Sequence, residues 1–198
     1  MSVMLARVAS EVGASERTLR RAVRSGLIHS IDPHSSRIEV PEEEITWVCS
    51  HWPLVGRLRV LLRTEPSVEL AVLFGSVATG GDVSGVSDVD VLVAVRNPRT
   101  DAMTTLRERL AGGLGADVQL VSLERARHNP HLLAEIARDG RPLVDRAALW
   151  PSLLRDVRRT RAQTERAGRE LHQGAQAALD YFRKLAATRA ETPLSLGS

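Results

Sequence analysis

Asp88 and Asp90 stand at alternate positions at the head of an apolar run that continues to Val95. Successive strand side chains point to opposite faces, so the two carboxylates share one face about 7 Å apart along the backbone. Upstream, the apolar run from Val68 to Phe74 stops at Gly75-Ser76, and a loop rich in glycine follows. A Gly-Ser turn offers backbone amides to phosphate, and paired carboxylates suit a hard divalent cation. Together they specify a site for a metal ion and a nucleoside triphosphate, which is the equipment of an enzyme. Phosphoryl and nucleotidyl transfer ask for positioning and charge neutralisation, commonly by two metal ions. A third carboxylate on a neighbouring strand would hold the second metal or take the nucleophile's proton. Asp117, which opens the run to Val121, is the candidate. Asp82 reads as a turn residue and Ser87 as a cap or orienting group.

The elements around these residues alternate in type. Strands are expected at Val68 to Phe74, Asp88 to Val95, Asp117 to Val121 and Arg141 to Val144, with helices at Asp101 to Ala111 and His131 to Arg138. Strands separated by helical patterns indicate an α/β or α+β sheet rather than a sandwich. Pro41 and the three glutamates after it suit the first turn of a connector helix, kinked near Pro53 and ending by Glu65 to Ser67. From Pro151 a long helix begins, and the tail after Thr188 has no periodicity. The expected organisation is therefore 1–40, a helical DNA-binding unit; 41–66, a connector helix; 67–146, the catalytic domain; 147–187, a C-terminal helix; and 188–198, a flexible tail.

Gly75-Ser76, eleven residues, Asp88-Val89-Asp90 and then Asp117 resemble the DNA polymerase β-type nucleotidyltransferase superfamily. The wording around these positions and the shortness of the domain resemble its minimal nucleotidyltransferase branch, which includes antitoxins paired with HEPN toxins. The resemblance implies a small mixed sheet flanked by helices, with Gly75 and Ser76 binding ATP. It also implies Asp88, Asp90 and Asp117 as the catalytic, metal-ligating triad, with Mg²⁺ or Mn²⁺ as cofactor. AMP transfer to a protein hydroxyl and a HEPN-type toxin partner follow from the same resemblance. One departure is visible: members commonly carry Arg where this chain has Thr79.

In the first segment, Leu5, Val8, Ala9 and Val12 recur at helical spacing, Gly13 breaks the run, and Ser15 suits the N-cap of a second helix ending at Gly26. The pattern resembles the MerR and excisionase-like winged helix-turn-helix families. Ser15, Glu16, Arg17, Arg20, Arg21 and Arg24 would face outward, and arginine suits both phosphate contact and guanine reading. A two-stranded wing is expected from Leu27 to Ile31 and Arg37 to Val40, with Arg37 on the DNA backbone. Operator DNA is the implied partner, bound by a symmetric dimer.

Composition limits the alternatives. The net charge is only +3, Cys49 is the single cysteine, and Lys184 is the single lysine. An internal disulfide and a cysteine-rich zinc site are excluded. No apolar run approaches the ~20 residues of a membrane span, so a soluble cytoplasmic protein is expected. Trp47 and Trp52 read as packing residues, and His128 and His131 as loop or cap residues. The Arg-five-residues-His spacings at Arg125–His131 and Arg166–His172 read as coincidence. Two other functions compete: a DNA-binding regulator whose transferase domain is inactive or only senses nucleotide, and an aminoglycoside-type nucleotidyltransferase. The latter would need a sizeable substrate domain, and residues 147–198 offer one helix.

Overall fold

A computed structural model describes residues 2–81, 88–96, 100–162 and 166. Asp82, Ser87, most of the expected C-terminal helix and the tail lie outside the described residues. Packing divides the chain into two units, Met1–Leu154 and Arg155–Ser198. In the second, residues 155–162 and 166 are helical.

Within the first unit, strand β1 (Ser2–Met4) leads into helix α1 (Leu5–Glu11), which buries Leu5, Val8 and Ala9. Helix α2 (Glu16–Ser25) starts where Ser15 Oγ accepts the Thr18 amide at 3.2 Å, and it buries Leu19, Ala22 and Val23. Strand β2 (Glu39–Pro41) pairs antiparallel with β1.

The expected wing is corrected by this pairing. Residues 27–31 form no strand, because the Leu27 and Ile28 amides both return to the Ala22 carbonyl, at 2.9 and 3.3 Å. Leu27 and Ile28 are also buried consecutively, whereas a strand with one wet face alternates. One link of the hairpin survives, from the Ile31 amide to the Glu39 carbonyl at 3.2 Å.

Helix α3 (Glu42–Arg63) is 22 residues long and runs through Pro53 as one element. Its last carbonyls, including those of Leu62 and Arg63, accept from the Arg146 guanidinium at 3.1–3.3 Å. A cation at a helix C-terminus also complements the dipole.

A four-stranded mixed sheet follows. Strand β3 (Val68–Phe74) leads into the short helix α4 (Gly75–Thr79). Strand β4 (Val89–Val95), helix α5 (Thr100–Leu114) and strand β5 (Val118–Ser122) come next. Helices α6 (Leu123–Arg127) and α7 (Pro130–Asp139) precede strand β6 (Arg141–Asp145). The order is β5-β4-β3-β6, with only β4 and β5 parallel.

Both faces of the sheet are covered. Ala71, Leu73, Val89, Val91, Val93 and Val118 join one core with residues of α1, α2, α3 and α5. Leu70, Val72, Phe74 and Leu92 pack on Leu123, Ala126, Ile136, Trp150 and Leu153. Burying such apolar side chains contributes about 1.5–3 kcal/mol each. Helical backbone resumes at residue 149, two residues before the expected start, because the Asp145 carboxylate accepts the Leu149 and Trp150 amides at 2.8 and 3.2 Å.

Candidate active site

At the end of β3 the chain must turn sharply into α4, and Gly75 makes the turn with φ +74°. A side chain there would be strained, and its Cβ would overlap the Asp90 carboxylate. Register explains the closeness, since Phe74 on β3 pairs with Asp90 on β4. Gly75 is therefore required twice, by backbone conformation and by the carboxylate against it.

Asp88 and Asp90 lie on one face and both are half-buried. Burial first, and the Asp88 charge second, push the Asp90 carboxyl above its ordinary value. The Asp88 carboxylate accepts a short hydrogen bond from Gln119 Nε2. Gln119 is a site residue that sequence reasoning missed. Its signal was the alternation along β5, which puts positions 117 and 119 on the face of Asp88 and Asp90.

Asp117 immediately precedes β5, and its carbonyl accepts the Val89 amide at 2.9 Å. The β4–β5 register pairs Val89 with Val118 and Asp90 with Gln119, so Asp117 lies beside Asp88. The Asp117 side chain is exposed. Among the described residues no group of three or more His, Cys, Asp or Glu side chains is arranged to hold a metal ion. The structure thus brings Asp88 and Asp90 together and leaves Asp117 alongside them rather than in a closed triad. The donors nevertheless fit a divalent cation. Two half-buried carboxylates that raise the proton affinity of one between them are oxygen ligands suited to Mg²⁺ or Mn²⁺.

Ser76 is exposed on α4. Its carbonyl accepts the Gly81 amide at 2.7 Å and Thr79 Oγ1 at 3.1 Å, and Thr79 Oγ1 also reaches the Gly75 carbonyl at 3.2 Å. Thr79 therefore braces the α4 backbone and supplies no charge.

Three buried side chains from outside the loop hold α4 and the residues after it. Trp47 Nε1 donates to the Val77 carbonyl at 2.8 Å, and Arg141 Nε donates to that of Ala78 at 2.7 Å. The His51 ring is hydrogen-bonded at Nε2 to the Gly81 carbonyl, 3.0 Å, and at Nδ1 to the Trp47 carbonyl, 2.9 Å. Both partners are acceptors, and a neutral imidazole donates to only one of them. The Trp47 and His51 rings stack at 5.3 Å, and the Arg141 guanidinium lies 3.5 Å from the Trp47 ring centre.

Arg141 also donates to the Leu27 carbonyl at 3.1 Å and makes a two-pronged ion pair with Glu44. Glu44 in turn accepts the His29 amide at 2.9 Å. Glu44, His51 and Arg141 are only 3–6 % exposed. Trp47 packs as expected, but its hydrogen bond and the roles of Glu44, His51 and Arg141 had no signal in sequence spacing.

On the N-terminal surface, Arg17, Arg21, Arg24 and Arg37 are exposed. Arg20 is engaged, by Glu16 at 2.5 Å and by the Ser36 carbonyl at 3.1 Å. Ser15 is taken up in capping α2. His128 Nδ1 lies 2.9 Å from the Glu124 carbonyl, and Asn129 caps α7 through the Leu132 amide at 3.2 Å. No described helix is long and apolar enough to cross a membrane.

Residues 57–148 match the family model described as Polymerase beta, Nucleotidyltransferase, so the sheet and its carboxylates lie in a nucleotidyltransferase domain of that type. No curated protein matches the chain. Among solved structures, it is similar to a chain of a toxin–antitoxin complex with AMP-PNP. That likeness has 25% identity and a TM-score of 0.44, and covers 65% of this chain and 98% of the other. The toxin–antitoxin pair MntA–HepT gives 23% identity and a TM-score of 0.41, covering 67% and 98%. A tri-AMPylated HEPN toxin from Shewanella oneidensis in complex with an MNT antitoxin gives 23% and 0.42, with the same coverage.

Proposed function

We propose that this nucleotidyltransferase domain moves AMP from ATP onto a protein hydroxyl, and that the acceptor is a HEPN-type toxin for which the chain is the antitoxin. The observation that carries the transferase reading is the approach of Gly75 to the Asp90 carboxylate, because it sets a bare backbone turn against the carboxylate pair. The AMP, protein acceptor and toxin follow from the motif resemblance, Gly75-Ser76 to Asp88, Asp90 and Asp117.

In this reading Gly75 and Ser76 bind the triphosphate, and Asp88 and Asp90 would hold Mg²⁺ or Mn²⁺, with Asp117 beside them. The bound cation would neutralise charge on the phosphate oxygens. The acceptor oxygen attacks the α-phosphorus, the bond to the pyrophosphate oxygen breaks, and pyrophosphate leaves with that electron pair. Asp117, exposed next to Asp88, is placed to take the acceptor's proton. Gln119 orients Asp88. Trp47, His51 and Arg141 fix the α4 backbone and are positioning residues.

A second reading is favoured by one observation, the internal use of Thr79 where the resemblance expects a phosphate-binding arginine. There the domain senses nucleotide, and the exposed Arg17, Arg21, Arg24 and Arg37, on and beside an α2 that Ser15 caps and that carries Arg20, serve operator DNA in a symmetric dimer. The readings separate in one assay. Label from α-labelled ATP should pass to the protein encoded beside this chain with added Mg²⁺, and should be lost in Asp88→Ala with Asp90→Ala. Absence of label with all four nucleotides, despite measurable ATP binding, would leave the sensing reading.

A further inference from the structure

Helices α2 and α3 enclose a cleft of about 300 Å³ away from the carboxylate site, lined by Thr18 and Arg21 from α2 and by Trp52, Arg59 and Arg63 from α3. No acidic side chain is among its lining residues. Arg59 Nε is shut off from solvent, and no acceptor meets it among the described residues. Arg59 and Arg63 are one helical turn apart on α3, so their charges repel. Burial, and then Arg63, lower the proton affinity of Arg59 below its ordinary value. Gly56, one turn before Arg59, also lines the cleft, and a Cβ there would meet nothing within 4 Å.

Arg59 is half-buried beside Arg63 in a cleft with no acidic lining, and like charges without a counter-charge are unfavourable. One ligand chemistry supplies the missing charge. A tetrahedral oxyanion accepts two parallel hydrogen bonds from a guanidinium fork and neutralises its neighbours. We propose that the α2–α3 cleft is a phosphate-binding site in which Arg59 grips the phosphate through its terminal nitrogens, with Arg63 and Arg21 beside it. The phosphate belongs to a free phosphorylated compound or to a DNA backbone. Arg59 and Arg63 lie outside the nucleotide site, so the phosphate site stands independently of the transferase reading, and it shares Arg21 with the outward arginines of α2.

The test uses the full chain without divalent metal, at constant ionic strength. Titration calorimetry with inorganic phosphate and with pyrophosphate forms one arm. Binding to a short duplex DNA over a range of salt forms the other. Arg59→Gln and Arg63→Gln should fold, because each relieves repulsion. Each should weaken the ligand by tenfold or more, and Arg59→Lys, which keeps charge but not the fork, should restore only part. Loss in the phosphate arm identifies a free compound. Loss in the DNA arm, with the slope of log affinity against log salt reduced by about 1, identifies the backbone. If wild-type chain binds neither ligand, or both glutamine variants bind like wild type in both arms, the site does not exist.

Discussion

Replacing Glu44 by Gln removes one charge from a pair whose members are 6 % and 4 % exposed. The Arg141 guanidinium would stay buried, and breaking one side of such a pair costs about 3–5 kcal/mol. Gln keeps one acceptor oxygen, so the expected loss lies near the lower end. Arg141→Met should cost more. It strands the Glu44 carboxylate and also removes the donors to the Ala78 and Leu27 carbonyls. Each carbonyl left without a donor adds about 1–3 kcal/mol. Glu44→Gln combined with Arg141→Met removes both charges, so neither is left stranded, but the two carbonyls remain unmet. The double variant is therefore expected to be more stable than the sum of its single changes by at least about 2 kcal/mol. Urea unfolding of the four proteins measures this cycle, with an unchanged slope showing that only stability moved. Additivity within about 0.5 kcal/mol would refute the reasoning, since it would mean the two groups do not interact.

Three further outcomes follow from the same geometry. Gly75→Ala should keep the fold at a cost of about 1–2 kcal/mol for the left-handed turn, while displaced Asp90 lowers AMP transfer at least tenfold; a wild-type rate would show that the carboxylate need not sit against the turn. Trp47→Phe keeps the ring but leaves the Val77 carbonyl without its donor, so thermal unfolding should report a loss of about 1–3 kcal/mol, and a loss below about 0.5 kcal/mol would contradict the hydrogen bond. Burial, then the Arg141 charge, hold the His29 imidazole below its ordinary 6.5, against the opposing pull of Glu44 and Asp139. The unfolded chain then binds the extra proton first, so stability should decline as pH falls below 6.5 and level off once native His29 is also protonated. His29→Gln should flatten that limb in urea unfolding between pH 5 and 8, and an unchanged limb would exclude His29 as its source.

The sheet was legible where local signals agreed. Strand β3 runs from Val68 to Phe74 as expected, because Pro66 and Gly75 bound a run that is apolar except for Glu69. The positions of Asp88 and Asp90 were legible for the same reason: alternation is a property of the strand itself. The wing was misread because Leu27 to Ile31 has strand-like composition, while the Ala22 carbonyl captures its first amides. Helix α4 was missed because five residues after a strand carry no period. Gln119 needed the β4–β5 register, and the Glu44–Arg141 pair needed the whole tertiary fold. Nothing in the glutamate run from 42 to 44 marks one member for burial.

That pair also sets a timetable for the newborn chain. Glu44 leaves the ribosome 97 residues ahead of Arg141. At about 5–20 residues per second its partner is roughly 5–20 s behind. Until then Leu27 and Glu44 lack the guanidinium that joins them, and β3 lacks β6 on one edge. Helices α1–α3 thus precede the residue that ties them to the sheet, and a nascent chain stalled before residue 141 should expose them to proteases and chaperones.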